Sequence, residues 1–280
     1  FGLTVGYGYT PSKNFYSGIG IKYYDERLDL NDMGYLILND RFMLNGRTQF
    51  KRTTFQEGSV LRSRLFEIGY GSKFNVDSER ESSNFALKLE NNFVNLSEIK
   101  AEVFYRSTGR NTRITRGSKF APFIKMPKGM GGYIDFTGPR RPTYVYGLRF
   151  ERGRGSEHSP ELGWGTKSRG YLKYMPTDTL SFSLMYQHQR ENEWLNWYGD
   201  NLLATFQRKQ RTSVVEMEWF RNNIHELRIK AQMVAFTGRE PQSFLGDLSG
   251  NLNPEDIHIP PITISELAFQ AVSYTHLRAH

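Results

Sequence analysis

No cysteine occurs in the 280 residues, which excludes a disulfide framework and any thiolate-ligated metal. Long apolar runs are missing too: nothing approaches the ~20 consecutive residues that a membrane-crossing helix requires. The mean hydropathy is -0.59, with 24% charged residues. That low value excludes a helical membrane protein but not a strand-built one, because a membrane strand needs only about 9–11 residues and half of them can be polar. No initiator Met, basic leader or apolar leader precedes Phe1, which already lies in a strand-like pattern, so the chain reads as an internal piece of a longer protein. Of the six histidines, none pairs with another at metal-ligand spacing outside the last nine residues.

What the chain does have is aromatics, 14% of residues with 16 Tyr and 20 Phe, and a recurring two-residue alternation. Between His225 and Phe236, Leu227, Ile229, Ala231, Met233 and Ala235 share one parity; Glu226, Arg228, Lys230 and Gln232 share the other. Successive strand side chains point to opposite sides, so two parities this extreme predict a strand between lipid and water. The formal charge of +8 and pI near 9.5 are spread over most of these segments. A nucleic-acid module would gather them into one stripe, so no nucleic-acid partner is expected; the charges line a polar interior or face lipopolysaccharide and loops.

Thirteen strands emerge from alternation and turn residues: 1–10, 15–24, 41–53, 60–74, 82–93, 97–107, 129–138, 142–152, 160–174, 178–190, 201–220, 224–237 and 262–271. Pro11 to Asn14, Gly138 to Pro142, Met175 to Thr177 and Arg221 to Asn223 read as tight turns. Long connections are expected at 25–40, 108–127 and 238–261, with a Trp-rich loop after 190. Short turns alternating with longer loops predict an all-β, antiparallel up-and-down transmembrane β-barrel, about thirteen or fourteen strands of which lie within 1–271. Phe182, Leu184, Tyr146, Leu148, Leu227, Ile229, Ala231 and Met233 are expected to face outward. Lys88, Glu90, Lys100, Glu102, Arg149, Arg228 and Lys230 are expected to face the lumen. Tyr174, Trp194, Trp197 and Tyr198 suit an interfacial girdle. Val272 to His280 abandons the pattern and resembles translated sequencing-adapter sequence, so it is set apart from the fold.

Asn31, Asp32, Gly34, Asn39 and Asp40 stand in the stretch NDMGYLILND. With Ile114-Thr115-Arg116-Gly117 and the segment His225–Gln232, it resembles a bacterial family of unknown function. In that family a domain similar to family-nine carbohydrate-binding modules precedes a C-terminal outer-membrane barrel. The resemblance spans most of 15–271; Leu38 departs from it, since a basic residue is expected there. It implies an outer-membrane location, with membrane lipid and lipopolysaccharide as partners and saccharides reached only through an upstream domain. The barrel would then serve as membrane anchor or pore for that domain. The residues themselves leave two alternatives, a barrel fragment of a TonB-dependent transporter and a barrel-embedded hydrolase.

Chemistry of other kinds is not expected. Asp25, Glu26, Asp29, Asp32 and Asp40 crowd one loop, but their spacing matches no calcium loop. Ser156, Glu157 and His158 are merely adjacent in sequence, and His188 shares the outward parity of Leu180 to Tyr186. Paired glycines such as Gly153 and Gly155 lack the strand-to-helix context of a phosphate loop. No catalytic residue, metal or cofactor is therefore assigned.

Overall fold

A computed structural model describes residues 2–25, 41–75, 80–115, 118–154, 162–221 and 225–275. The described residues are all β. Thirteen long strands run β1 (Gly2–Ser12), β2 (Phe15–Tyr24), β3 (Arg41–Arg52), β4 (Leu61–Phe74), β5 (Arg80–Phe93), β6 (Glu98–Arg106), β9 (Gly129–Thr137), β10 (Tyr144–Arg154), β11 (Trp164–Thr177), β12 (Leu180–Gly199), β13 (Leu202–Phe220), β14 (His225–Gly246) and β16 (Ile262–Thr275). Three short ones, β7 (Gly109–Asn111), β8 (Ile124–Met126) and β15 (Leu252–Pro254), lie within the connections.

Every long strand pairs antiparallel with its sequence neighbour, the β7–β8 hairpin being bypassed by β6 pairing β9. The result is one up-and-down sheet. It is not closed: β1 pairs only with β2, and β16 only with β14, so these two strands form its edges.

Directly opposed residues of neighbouring strands share a face, so the registers sort the whole sheet into two faces. One is apolar. From β9 to β14 a single cross-strand row reads Phe136, Leu148, Gly170, Tyr186, Ser213, Met233; the next reads Tyr146, Leu172, Leu184, Val215, Ala231. Aromatic pairs sit on this face on the first strands, with Phe15 edge-on to Phe50 at 5.1 Å and Phe42 tilted against Phe74 at 6.2 Å. Its apolar stretch covers seven residues on β12 (Leu180 to Tyr186) and nine on β14 (Leu227 to Ala235), or roughly 20–26 Å along each strand at ~3.3 Å per residue. The other face carries the charges.

This apolar face is not a core. Only eight hydrophobic residues are buried among those described, whereas thirty-eight large hydrophobics are exposed, among them Leu148 at 62%, Val215 at 51% and Phe269 at 70%. The buried few lie at the end that carries the long connections, around the β12–β13 turn. Ile124 and Met126 of β8 pack there with Leu195 and Leu203; Ala204, Phe206 and Ile259 form a second small cluster.

Three departures from the expected layout have local causes. The Trp-rich segment after 190 is strand: β12 continues to Gly199 through a β-bulge between Glu191 and Trp194. Likewise β14 continues to Gly246, past a register shift at which Glu240 takes a φ of 51°. A bulge adds a residue and interrupts the period of two without ending the strand. Trp194 packs there at 6.0 Å from Phe206 and 5.4 Å from Phe236. Finally, β16 stays in register with β14 through Val272–Thr275, across the 271/272 boundary read from the sequence.

Candidate functional site

The charged face carries the cross-strand ion pairs of the sheet. On it Lys88 stands opposite Glu102, Glu90 opposite Lys100, Lys100 opposite Asp135 and Asp135 opposite Arg149. Across the sheet, Arg228 stands opposite Glu218 and Lys230 opposite Glu216. Through the intervening registers all seven residues expected to face a lumen fall on this one face.

They lie in two lattices of alternating sign. In the first, Arg149 reaches Asp135 at 3.5 Å and Glu151 at 3.3 Å, and its guanidinium lies 3.8 Å from the centroid of the Tyr133 ring. Tyr133 donates its hydroxyl to Glu102 Oε2 at 3.3 Å. Lys88 lies 3.7 Å from Glu90, and Lys100 pairs with Glu98. In the second, Lys230 binds Glu216 at 2.9 Å, Lys173 binds Glu218 at 3.3 Å, and Arg228 pairs with Glu226. Most of these groups are a fifth to a half exposed. Each pair is therefore worth about 0–1 kcal/mol, and what they supply together is local neutralisation rather than cohesion.

Beyond both lattices, toward the long-loop end, lies a narrower row. Phe104 is followed across the strands by Gly131, Gly153, Gly165, Glu191 and Arg208. The Phe104 ring covers the glycines: a Cβ on Gly131 or Gly153 would come within 2.8 or 3.1 Å of its Cζ. Arg208 then bonds the buried Glu191 at 3.1 Å and lies 5.0 Å from the Trp194 ring.

At the long-loop end, Arg41 donates to both carboxylate oxygens of Glu81 at 2.9 and 2.7 Å. A cavity of about 40 Å³ opens beside them, lined also by Arg106, Arg110 and Arg113. In the loop between β14 and β15, Asp247 accepts backbone amides from Asn251 at 2.8 Å and Ser249 at 2.9 Å. The Asn251 amide, with further bonds from the Asn251 and Asn253 side chains, holds that carboxyl below the usual carboxylate range.

The loop residues Asn31, Asp32, Gly34, Asn39 and Asp40 lie outside the described residues, as do Glu26, Asp29, Ser156, Glu157 and His158. His188 stands opposite Ser168 and Arg211 on the apolar face, away from the charged lattices. Among the described residues no group of three His, Asp or Glu side chains could hold a metal. Alternation along 142–152 already set Glu151 on the same face as Arg149, whereas sequence reasoning missed the counter-charges Asp135, Glu216 and Glu218. Parity alone could have placed them on the charged face, but only the register pairs each with its cation.

Against family models, curated proteins and solved structures alike, the chain finds no match.

Proposed function

We propose that this chain is wall of an outer-membrane β-barrel, its apolar face against lipid and its ion-paired face against a polar interior. The barrel serves as anchor or pore for a carbohydrate-binding domain. The observation that carries the reading is the inverted distribution of hydrophobic residues: the long strands present one continuous apolar band on one face, and few of the hydrophobic residues described are buried. A soluble monomer rarely exposes more than about 300–600 Å² of contiguous apolar surface, and lipid is the solvent in which such a face costs nothing. At the ~35–45° tilt of barrel strands this stretch projects to roughly 14–21 Å, somewhat below the ~25 Å apolar band of outer-membrane barrels.

Anchor is preferred to open pore because the charged face alternates in sign. Selectivity in channels comes from rings of one sign, whereas the Asp135–Arg149–Glu151 and Glu216–Lys230 pairings cancel locally. The stretch NDMGYLILND and its resemblance to a barrel family that follows a saccharide-binding domain point the same way.

The absence of cysteine makes the test direct. Single cysteines placed in turn at Leu148, Leu184, Val215 and Met233, and at Arg149, Ser183, Glu216 and Gln232, are labelled with a fluorophore after reconstitution into vesicles containing brominated lipid. Quenching confined to the first four is the expected outcome. Equal quenching at both sets would refute the lipid-facing assignment, and planar-bilayer conductance then separates anchor from pore.

A further inference from the structure

On the apolar face, just beyond the aliphatic stretch toward the long-loop end, the composition changes abruptly. Arg152, Thr166, Arg190 and Lys209 form one cross-strand row, and His188 and Arg211 stand together in the row beside it. Arg239 occupies the same face one step further on, opposite Gln207. Arg152, Arg190, Lys209, Arg211 and Arg239 are all exposed. No Asp or Glu occupies this face anywhere in the paired registers from β9 to β14. The nearest carboxylates along these strands, Glu193 and Glu240, sit at the bulges further toward the loops, where Glu240 accepts a hydrogen bond from Gln207.

Like charges directly opposed on neighbouring strands repel, so Arg190 facing Lys209 is unfavourable unless an anion lies between them. Directly opposed side chains start about 5 Å apart and the next row on the same face lies about 7 Å further along, so Arg190, Lys209 and Arg211 can converge on one phosphate. Arginine is suited to that role by its planar fork of donors. Directly below the belt lie Tyr186, Leu184 and Val215, all exposed and able to receive hydrocarbon tails.

We infer that this belt is a binding site for the phosphate of an anionic membrane lipid, whose acyl chains lie along Leu184 and Val215 while Arg190, Lys209 and Arg211 hold the headgroup. The inference rests on the membrane reading given above and assigns to one rim of the apolar face a specific lipid chemistry.

The full chain, folded in zwitterionic detergent, is titrated with phosphatidylglycerol and with phosphatidylcholine of the same tails, and bound lipid is counted by native mass spectrometry. Insertion into vesicles of each lipid is scored in parallel. Phosphatidylglycerol is expected to bind at least about tenfold more tightly. The R190Q/K209Q/R211Q variant should lose that preference while still entering phosphatidylcholine vesicles. Removing three cations from the charged face instead, as K22Q/K167Q/R169Q, should leave the preference intact. Equal loss in both triple variants would overturn the site in favour of net charge. Displacement of the lipid by millimolar inorganic phosphate would overturn the lipid as the ligand. Insertion without preference overturns the belt alone, whereas failure to enter either kind of vesicle overturns the membrane reading and the belt with it.

Discussion

Glu191 on β12 and Arg208 on β13 stand directly opposite one another, carboxylate to guanidinium at 3.1 Å, with the Glu191 side chain only 1% exposed. The pair is buried where the two charged lattices are not. Breaking such a pair from one side leaves an uncompensated buried charge and typically costs 3–5 kcal/mol. Glu191→Ala is therefore expected to destabilise the folded chain by about 3 kcal/mol in urea unfolding from vesicles. The double variant Glu191→Leu with Arg208→Met should recover much of that loss, since two apolar groups need no counter-charge. A cost for Glu191→Ala below about 1 kcal/mol would mean that water reaches the pair.

The glycines beside this pair are not equivalent to those elsewhere in the sheet. A Cβ on Gly131 would lie 2.6 Å from both the Arg152 carbonyl oxygen and the Gly153 Cα, backbone atoms that cannot step aside, whereas a Cβ on Gly69 would meet nothing within 4 Å. Gly131→Ala should lower the thermal midpoint by several degrees, corresponding to about 1–3 kcal/mol of overpacking. Gly69→Ala should leave it unchanged or raise it slightly. Equal midpoints for the two variants would show that β9 and β10 can separate to admit the methyl group.

Ser183 and Leu184 are neighbours in sequence on opposite faces: Ser183 stands between Lys173 and Glu216, Leu184 between Leu172 and Val215. If the apolar face meets lipid as proposed, Leu184→Arg is expected to cost about 2–4 kcal/mol in folding into vesicles, as a cation near mid-depth does. Ser183→Arg, which gains Glu216 as a neighbour, should cost far less. Comparable losses for the two would argue that neither face meets hydrocarbon.

Asp247 closes its loop through the amides of Ser249 and Asn251. Because those bonds favour the ionised form and depress its pKa, the stabilisation is complete above the ordinary carboxylate range and disappears as pH falls through the depressed value. Hydrogen exchange at the Ser249 and Asn251 amides should therefore stay slow down to the usual carboxylate pKa and accelerate, beyond its intrinsic pH dependence, only below it. Asp247→Ala should exchange quickly at every pH. Protection retained in that variant would assign the loop's order to the Asp247–Asn251 backbone bond instead.

The thirteen long strands were legible because each alternates between extremes: Leu227, Ile229 and Ala231 against Arg228 and Lys230 leave no other periodic reading. So was the membership of the charged face, since parity needs no knowledge of partners. What escaped was whatever depends on register or on a broken period. The bulges at Glu191–Trp194 and beside Glu240 interrupt the alternation, which turned the ends of β12 and β14 into apparent loops. The pairing of Glu191 with Arg208, and the belt joining Arg152 to Arg190 and Lys209, depend on alignments that sequence distance does not encode. Whether the sheet's edges meet is likewise no property of any single strand.

The strict two-face sorting also gives the sheet a means of correcting itself. On the membrane reading proposed above, a slip of β14 by one residue against β13 would turn Arg228 and Lys230 toward hydrocarbon and Leu227 and Ile229 toward water. With each misplaced Arg or Lys near mid-depth costing about 2–4 kcal/mol, a single mispaired strand forfeits most of a typical domain's stability. On that reading the solvent itself proofreads the pairing: lipid rejects every slip by an odd number of residues, and the turns and the cross-strand ion pairs choose among the even ones.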